Sequence, residues 1–392
     1  MTEARARRRQ ECAATLAALS ELGRLRERPV IDAGNTRLIS LRGPGGRRKL
    51  VNWASNDYLA LVPRLTMRNA AIRALRRFGT GSGAARLLSG GLACHARLEQ
   101  RLAAWFGHEA ALLTTTGYQV NLAVLTSLAE QRGDVIILDR LSHASSYDGA
   151  RLAEGRIRRF AHNDVNDLVV QLRASSDARR RIVCIESVYS MDGDEAPLVE
   201  IAAACAEHDA WLLVDEAHGI GPFGPSGRGR CAELGVMPDL LIGTCSKTMA
   251  AQGGFVCGDR EVIECIVNRG RSFIFSTAAS PAASGAAVRA LDHLRDEPDL
   301  GATLCARSVD LRARLRAQGW DVPAGRSPII PILIGSEHDT LALATRLREA
   351  GHYAPAIRPP TVPEGQCRLR LTLTLAHKEV DVRRLLAAMG SV

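Results

Sequence analysis

From residue 50 onward, short apolar segments alternate with segments whose apolar residues recur at helical spacing. The apolar segments are candidate strands at residues 111–116, 134–139, 181–187, 210–215, 239–244 and 253–258. Helical patterns lie between several of them, in YQVNLAVLTSLAEQ, DVNDLVVQLRASS and LVEIAAACAEH. Because apolar strands that alternate with helices are buried on both faces, the pattern predicts an α/β fold with a mostly parallel central sheet.

The two ends of the chain carry different patterns. Residues 10–26 have the spacing of an amphipathic helix, and RLISLRGPGGRRKLVNW predicts two short strands around a Gly-Pro-Gly-Gly turn. After residue 280, the pattern predicts a long helix over 281–318, then strands in SPIIPILIG and CRLRLTLTL, each followed by a helix. We therefore predict an N-terminal segment (1–50), a large domain (51–280) and a smaller C-terminal α+β domain (281–392).

The chain is basic, with a formal net charge of +9 over 392 residues. A basic protein can bind nucleic acid, but these arginines are spread along the whole chain and no cluster of aromatic and basic residues appears. We therefore expect no nucleic-acid partner, and a salt-dependent shift of DNA would support that rival interpretation. The positive charge also suits an anionic substrate, such as a coenzyme A ester or an acidic carrier protein.

The ten cysteines are scattered singly, without a C-x-x-C pair. This pattern is typical of reduced thiols in the cytoplasm, and it argues against a disulfide framework and against a thiolate metal site. No apolar run is long enough to span a bilayer, so we expect no membrane partner. The arginine-rich N-terminus lacks the pattern of a secretory signal, and a transit peptide stays as an alternative to a cytoplasmic location.

Lysine is rare in this chain, because only Lys49, Lys247 and Lys378 occur among its 51 basic residues. Lys247 follows the apolar run of LLIGTCSKT and has small neighbours. A desolvated lysine can lose its proton and form a Schiff base, whereas arginine stays protonated. A surface lysine is the ordinary alternative, but the small neighbours of Lys247 argue against it.

Other distinctive residues also follow predicted strands, where ligands gather in open α/β sheets. Gly117 and Tyr118 begin a helix, whose free N–H groups suit a phosphate, although a simple glycine turn would look the same. Asp215 ends a buried strand and His218 follows it closely. A buried aspartate needs a cation or hydrogen-bond donors, so a cationic heterocycle or a capped turn would each explain it.

These strand ends together match the requirements of pyridoxal 5′-phosphate. The cofactor needs a lysine for its aldehyde, an acidic partner for its ring nitrogen and an anchor for its phosphate. Lys247, Asp215 and Gly117 supply these three functions, and His143, after the strand VIILD, can offer a flat face to the ring. The sequence therefore predicts a pyridoxal-phosphate enzyme and no metal site.

An ordered set of motifs extends this prediction. It comprises NWASNDYLAL (52–61), GTGSGAARLLSG (79–90), DRLSHAS (139–145), FAHND (160–164), ESVYSMDGDEAPL (186–198), VDEAHGIGPFG (214–224), TCSKT (244–248) and IRPPTVPEGQCRLRLTLT (357–374). On these motifs the chain resembles the α-oxoamine synthase family of fold-type I pyridoxal-phosphate enzymes, from about residue 50 to the C-terminus.

The resemblance implies a role for each matching residue. Lys247 would hold the cofactor as a Schiff base and move protons, Asp215 would pair with the ring nitrogen, and His143 would stack on the ring. The remaining implied positions are His218 on the phenolic oxygen, Ser190 beside the ring substituents, Gly117, Tyr118 and Thr244 near the phosphate, Asn56 and Arg370 on the amino-acid carboxylate, Arg358 and Thr361 near the acyl substrate, and Ser276 and Thr277 on the phosphate of the neighbouring subunit in a homodimer with shared sites.

The residues themselves leave two choices of arginine open. Arg368, Arg370 and Thr372 alternate onto one strand face, and an arginine fork matches a carboxylate, but alternation does not select between the two arginines. The family pattern selects Arg370. An N-terminal arginine contacts substrate in relatives, and both Arg24 and Arg26 are candidates for it.

The implied activity is a decarboxylative condensation of L-alanine with a pimeloyl thioester of coenzyme A or an acyl-carrier protein, as in biotin biosynthesis. Members that use glycine or serine, other acyl chains or secondary-metabolite substrates remain alternatives. The intact Lys247, Asp215 and His218 argue against a scaffold without catalysis. Two segments depart from the expected pattern: Ala60 in NDYLAL stands where a glycine is usual, and TMAAQGG follows in place of a glycine-rich run.

Overall fold

The computed structural model describes residues 3–26, 28–43 and 46–392. The strands are β1 (Val30–Gly34), β2 (Leu38–Gly43), β3 (Gly46–Asn52), β4 (Ala110–Thr114), β5 (Asp134–Asp139), β6 (Arg156–Phe160), β7 (Arg180–Glu186), β8 (Trp211–Asp215), β9 (Leu240–Thr244), β10 (Gly254–Gly258), β11 (Ile329–Gly335), β12 (His352–Tyr353), β13 (Ala356–Ile357) and β14 (Cys367–Thr372).

The helices are α1 (Glu3–Glu21), α2 (Leu65–Phe78), α3 (Ala93–Phe106), α4 (Gly117–Leu128), α5 (Ala144–Leu152), α6 (Val165–Arg173), α7 (Leu198–Glu207), α8 (Gly229–Leu234), α9 (Arg260–Arg269), α10 (Arg271–Ile274), α11 (Pro281–Asp296), α12 (Leu300–Ala317), α13 (Glu337–Glu349) and α14 (Glu379–Met389).

The central sheet has the strand order β4-β10-β9-β8-β7-β5-β6. Strands β5 to β9 pair in parallel, whereas β10 runs antiparallel to both β4 and β9. The prediction of a mostly parallel sheet in an α/β fold is therefore confirmed. Since the carboxyl ends of the parallel strands meet at one edge, side chains that follow these strands are brought together there.

Strand β5 shows why the sheet is buried on both faces. Its side chains alternate between two cores, so that Ile136 and Leu138 pack with Val124 on one face. Val135 and Ile137 pack with Leu168 and other residues of α6 and α7 on the opposite face. An uninterrupted apolar run is what a strand between two helical layers requires, because both sets of side chains leave water.

Two smaller sheets flank the central one. Strands β1, β2 and β3 form a sheet that β12 joins in parallel with β3. The third sheet has the order β11-β14-β13, with antiparallel pairing. The predicted pairing of the two N-terminal strands is confirmed, since β2 and β3 pair up to Gly43 and Gly46. The central residues of the predicted turn, 44 and 45, lie outside the described residues.

The predicted amphipathic helix at residues 10–26 is wrong in both its bounds and its character. Helix α1 spans Glu3–Glu21 and buries none of its residues. The helix ends at a turn where Gly23 has a φ of +65°, in the left-handed region that glycine adopts without a steric cost. The chain beyond it, which carries Arg24 and Arg26, is therefore not helical.

The single long helix predicted over 281–318 is also wrong, because the structure has two helices there, α11 and α12. The break falls at Glu297, where the backbone has a φ of −126° and a ψ of 74°. The next residue is Pro298, which lacks an N–H and disfavours helical geometry in the residue before it.

Strand β6, with the sequence RIRRF, is not among the predicted strands. It lies at the edge of the central sheet, and most of its side chains are exposed or half-buried. An edge strand tolerates charged side chains, so its sequence lacks the apolar run that marks the inner strands.

Candidate cofactor and substrate site

The edge of the central sheet brings together the residues that end β7, β8 and β9. Glu186 lies directly beside Asp215 across the β7–β8 pair, and Asp215 lies beside Ile242 of β9. Thr244 ends β9, and Lys247 follows it in the next turn. Asp215 and the Thr244–Lys247 turn, which are about 30 residues apart in the sequence, therefore meet because β8 and β9 are neighbours.

Lys247 is held by a buried histidine. The Lys247 Nζ atom lies 2.9 Å from His218 Nε2. Burial lowers the pKa of Lys247 to about 8, even though Asp215 and Glu186 favour its charged form. Burial, with Lys247 and Arg370 nearby, also holds the pKa of His218 well below its ordinary value. The amine can therefore lose its proton near neutral pH, as a nucleophile or base must.

A chain of polar contacts continues from Lys247 to Arg370. His218 Nδ1 lies 2.5 Å from the hydroxyl of Tyr58, which is fully buried. Burial raises the pKa of Tyr58 to about 12, so that the hydroxyl keeps its proton. The same hydroxyl also interacts with the guanidinium of Arg370. The lysine and the arginine implied by the family pattern thus belong to one network.

Arg370 projects from β14 and is buried. Its Nε donates to the backbone carbonyl of Ser190 at 2.5 Å, and Nη1 donates to Thr372 at 2.8 Å. Both terminal nitrogens lie 3.3 Å from Asn56 Oδ1. None of these partners carries a negative charge, and burial lowers the pKa of Arg370. A buried guanidinium without a carboxylate is costly unless an anion joins it.

The second arginine of the same strand differs from Arg370. Arg368 pairs with the carboxylate of Asp192 and donates to the Gln366 carbonyl at 3.1 Å. Its charge is therefore already neutralised. This contrast makes Arg370 the arginine available to a substrate carboxylate, which strand alternation alone did not decide.

Among the described residues, Asp215 has hydrogen-bond donors but no salt-bridge partner. Its carboxylate is 8% exposed and accepts hydrogen bonds from Asn121 Nδ2 at 3.2 Å and from the Ala217 N–H at 2.9 Å. The neighbouring Glu186 accepts the backbone N–H of His143 at 2.7 Å. Burial and Asp215 raise the pKa of Glu186 to about 8. A cationic ring nitrogen would supply the missing partner of Asp215.

His143 lies at the N-terminus of α5, where its exposed ring accepts the N–H of Ser145. The Ser145 hydroxyl lies 2.7 Å from His143 Nδ1 and 3.0 Å from Asn121 Nδ2. The ring of Tyr118 meets that of His143 edge-on, with 6.3 Å between centroids. Asn121 therefore connects Asp215 to the histidine that is expected to stack on the cofactor.

The phosphate anchor is expected at the N-terminus of α4. Thr116 caps the helix by accepting the Gln119 N–H, and Gly117 is the first helical residue. A Cβ at Gly117 would lie 3.3 Å from Thr244, so a larger residue would crowd the junction of α4 and β9. The Thr244 hydroxyl accepts the Ser246 N–H at 3.1 Å. Free N–H groups and a positive helix end thus face the turn that carries Lys247.

The remaining cofactor candidates are placed less directly. Tyr118 is 42% exposed and donates its hydroxyl to Asp148. Ser190 contacts Arg370 through its backbone carbonyl. Ser276 and Thr277 follow α10, and Thr277 pairs with Ala85. Within the part of the chain that the structure describes, neither forms a hydrogen bond to another candidate residue, and the role implied for them in a neighbouring subunit stays a prediction.

A cavity of about 1140 Å³ lies between the segment after α1, the β2–β3 pair, α13 and residues 353–361, and its lining does not include Lys247, Asp215 or Arg370. Its lining includes Arg358 and Thr361, and among its described residues seven are arginines and none is acidic: Arg24, Arg26, Arg28, Arg42, Arg48, Arg348 and Arg358. Arg24 pairs with Glu337 and Glu364, at 3.0 and 2.9 Å. Arg26 instead donates to the hydroxyl of Thr361 at 3.0 Å. The cavity is therefore a strongly cationic compartment.

Sequence reasoning missed Tyr58, Asn121 and Glu186. Tyr58 lies in the same motif as Asn56, so the motif signalled its importance but not its partner, His218. Glu186 ends β7 as Asp215 ends β8, and the same reasoning about a carboxylate after a buried strand applies to it. Asn121 lies inside α4, and nothing in the sequence around it indicates a contact with Asp215.

The fold and the site define a pyridoxal-phosphate-dependent enzyme of fold type I. Within the part of the chain that the structure describes, a lysine whose pKa is lowered, a buried aspartate without a salt-bridge partner and a helix N-terminus meet at one sheet edge, and these residues fit the cofactor.

Comparison with known proteins agrees with this class. The family model described as aminotransferase class I and II matches residues 48–389. The 8-amino-7-oxononanoate synthase of Anaeromyxobacter dehalogenans is 46% identical over 349 residues, covering 88% of this chain and 87% of the relative. That of Alcanivorax borkumensis is 43% identical and covers 97% of each chain.

A solved structure of Sphingomonas wittichii serine palmitoyltransferase has a TM-score of 0.89 and 34% identity, covering 97% of this chain and 95% of that one. The chain belongs to the α-oxoamine synthase family of pyridoxal-phosphate-dependent acyltransferases, and within it the chain is similar to the 8-amino-7-oxononanoate synthases.

The described residues contain no helix with the length and hydropathy needed to cross a membrane. They also contain no group of three or more histidine, cysteine, aspartate or glutamate side chains arranged to hold a metal ion.

Proposed function

We propose that this enzyme condenses L-alanine with a pimeloyl thioester and releases 8-amino-7-oxononanoate, carbon dioxide and the free thiol carrier, as a step of biotin biosynthesis. The observation that carries the proposal is the continuous network from Lys247 through His218 and Tyr58 to Arg370. It connects an amine that can exchange protons to a guanidinium that can hold the carboxylate of an amino acid.

Residues from two sheets bind the amino acid and move its proton. Arg370 and Asn56 hold its carboxylate, which orients the Cα–H bond. Lys247 would hold the cofactor through its amine, and this amine, whose pKa burial lowers to about 8, is placed to accept the Cα proton. The bound cofactor supplies an electron sink for the resulting carbanion.

Asp215 keeps a positive charge on the cofactor ring, and Asn121 and the Ala217 N–H hold its carboxylate in place. His143 would stack on the ring, and Glu186 fixes its backbone by accepting its N–H at 2.7 Å. His218 contributes a neutral imidazole, since its pKa is well below its ordinary value. Tyr58 orients this imidazole at Nδ1, so that Nε2, which lies 2.9 Å from the Lys247 amine, would be available to the phenolic oxygen once that amine holds the cofactor.

The arginine-lined cavity supports an acyl chain that ends in an anion. A pimeloyl group carries a carboxylate at its far end, and Arg26, Arg358 and Thr361 together offer a cationic, hydrogen-bonding surface. Because Arg24 is already paired with two glutamates, we propose Arg26 as the N-terminal arginine that contacts the substrate.

Three further proposals concern the oligomeric state, the acyl carrier and the domain division. We propose a homodimer in which Ser276 and Thr277 reach the cofactor phosphate of the neighbouring subunit. The carrier of the acyl group is coenzyme A or an acyl-carrier protein. The division into residues 1–50, 51–280 and 281–392 is also a proposal: the central sheet lies within the second range and the sheet β11-β14-β13 within the third, whereas β12 of the third range joins β3.

A spectral titration tests the amino-acid assignment. Purified holoenzyme is titrated with L-alanine, glycine and L-serine, and the absorbance of the bound cofactor is followed. Each amino acid is then combined with acetyl, succinyl, pimeloyl and palmitoyl thioesters, and the products are identified by mass. We expect L-alanine to change the spectrum and the pair of alanine and pimeloyl thioester to give the product. A response to glycine alone would overturn the assignment.

A second candidate is a serine-dependent acyltransferase with a long acyl chain. The structural likeness to the Sphingomonas wittichii serine palmitoyltransferase favours it. In the same experiment, this candidate predicts a spectral response to L-serine and product from the palmitoyl thioester. The cationic cavity argues against it, because a palmitoyl chain has no charged end.

A further inference from the structure

His162 joins two carboxylates from different parts of the fold. Its Nδ1 lies 2.9 Å from Asp139 Oδ1 at the end of β5, and its Nε2 lies 2.7 Å from Asp194 Oδ2. Its ring meets that of Tyr189 edge-on, with 4.4 Å between centroids. Asn163 also donates to Asp194 Oδ2 at 2.8 Å. The histidine is thus a fixed bridge between the sheet and the segment that contains residues 189–194.

That segment, which we name the 189–194 turn, is closed on itself. The Tyr189 N–H donates to the Asp194 carbonyl at 3.0 Å, and the Gly193 N–H donates to the Tyr189 carbonyl at 2.8 Å. Gly193 has a φ of +66°, and a Cβ there would lie 2.4 Å from the Ile329 carbonyl of β11. The turn therefore packs directly against the small sheet, where even one added carbon has no room.

The same turn contacts both arginines of β14. The Ser190 carbonyl accepts the Nε–H of Arg370 at 2.5 Å, and the carboxylate of Asp192 pairs with Arg368. The position of the turn therefore sets the position of Arg370. The bridge through His162, together with the hydrogen bond from Asn163, attaches the Asp194 side chain of this turn to the carboxyl edge of the central sheet.

We propose that His162 is a positioning residue for amino-acid binding: as an imidazolium between Asp139 and Asp194, it fixes the 189–194 turn so that Arg370 meets the substrate carboxylate. The proposal rests on the role of Arg370 in the proposed function. His162 touches neither Lys247 nor Arg370, and it acts only through the turn.

The charge of His162 follows from its geometry. Two carboxylate acceptors need two N–H donors, and only the protonated ring has both. Although burial opposes this charge, the hydrogen bonds to Asp139 and Asp194 raise the pKa of His162 to about 10. Tyr189 is the other titratable group against the ring, and burial raises its pKa, so it stays neutral. The bridge is therefore intact throughout the range in which such an enzyme would be assayed.

The test compares His162→Gln with wild type and with His338→Gln, a matched control at an exposed histidine that also lies next to an aspartate. The dissociation constant for L-alanine is measured from the absorbance of the bound cofactor, and KM and kcat are measured with pimeloyl thioester. Loss of a coupling contact of this kind changes affinity by about tenfold. We expect His162→Gln to weaken L-alanine binding to that extent, with kcat and the spectrum of the resting enzyme nearly unchanged.

A merely structural role would lower the melting temperature and weaken cofactor binding together, without a selective effect on L-alanine. That result, or unchanged L-alanine binding, would overturn the proposal. If His162→Gln does not fold, Asp194→Asn removes one end of the bridge and is expected to have the same selective effect. Failure of the proposed function would differ, because the wild-type enzyme itself would then not respond to L-alanine.

Discussion

The cofactor edge and the arginine-lined cavity are built in different ways. At the cofactor edge, Asp215, Thr244 and Lys247 follow neighbouring strands of one sheet, and their backbone positions are fixed by strand pairing. The cavity is instead assembled from the segment after α1, the β2–β3 pair, α13 and the chain around Arg358. One region is set by a single sheet, and the other depends on four separate parts of the chain.

This difference separates cofactor chemistry from substrate choice. Chemistry common to a family lies on the rigid sheet, where strand ends place a lysine, an aspartate and a helix N-terminus reliably. Acyl-chain selection lies in the cavity, whose segments can change without disturbing the sheet. Variants at the cofactor edge should therefore abolish the reaction, whereas variants in the cavity should change which thioester is used.

The largest effect is expected at Lys247. Lys247→Ala and Lys247→Arg remove the amine that binds the cofactor and moves the proton, so kcat should fall by about 10³-fold or more. Lys378→Arg, at an exposed lysine, is the matched control and should keep wild-type activity. Steady-state rates and the mass of borohydride-reduced protein provide the measurement. Covalent cofactor in Lys247→Ala would contradict the assignment.

A smaller, selective effect is expected in the cavity. Arg26→Gln and Arg358→Gln each remove a cationic donor, and loss of one charged hydrogen bond should raise KM for pimeloyl thioester by about 10- to 100-fold. The dissociation constant for L-alanine should stay unchanged, because Arg370 is untouched. Arg5→Gln, on the exposed helix α1, is the control. Equal losses in alanine and thioester binding would remove the distinction between the two regions.

The pH dependence of cofactor capture tests the cofactor edge alone. Burial lowers the pKa of Lys247 to about 8 from 10.5, and only the neutral amine attacks an aldehyde. The rate at which cofactor-free protein binds pyridoxal phosphate should therefore rise with pH and level off above about 8. Asp215→Asn should move the midpoint lower, since Asp215 favours the protonated amine. Stopped-flow absorbance checks both, and a wild-type midpoint near 10.5 would contradict the account.

The smallest effect is expected at Ala60 and Ala250, the alanines in the two segments that depart from the family pattern. Ala60 and Ala250 have φ angles of +56° and +53°, in the left-handed region. That conformation costs a non-glycine residue about 1–2 kcal/mol, partly offset by the greater freedom of glycine when unfolded. Ala60→Gly and Ala250→Gly should each raise the free energy of unfolding by about 0.5–1 kcal/mol.

Denaturant unfolding measures this change, with Ala74→Gly inside α2 as the control. That substitution should destabilise by about 1 kcal/mol, because Ala74 is helical. Destabilisation by Ala60→Gly of the same size would show that the left-handed backbone is not the reason for the usual glycine there.

Much of the cofactor edge could be predicted from the sequence, because strand ends are local signals. Asp215, Thr244 and Lys247 each follow a visible apolar run. The contact of Tyr58 with His218 spans 160 residues and left no such signal. The cavity could not be predicted from the sequence either, because its arginines come from segments that are far apart along the chain. The break between α11 and α12 could have been predicted from the sequence, because Pro298 is a local signal for the end of a helix.

The most direct test of the account compares pimeloyl thioester with heptanoyl thioester, which has the same length but lacks the terminal carboxylate. The measured quantity is the ratio of kcat/KM for the two thioesters, with L-alanine saturating. The account predicts that the wild-type enzyme prefers pimeloyl thioester by about tenfold or more and that the Arg26→Gln/Arg358→Gln enzyme loses this preference. Equal use of both thioesters by the wild-type enzyme would contradict it.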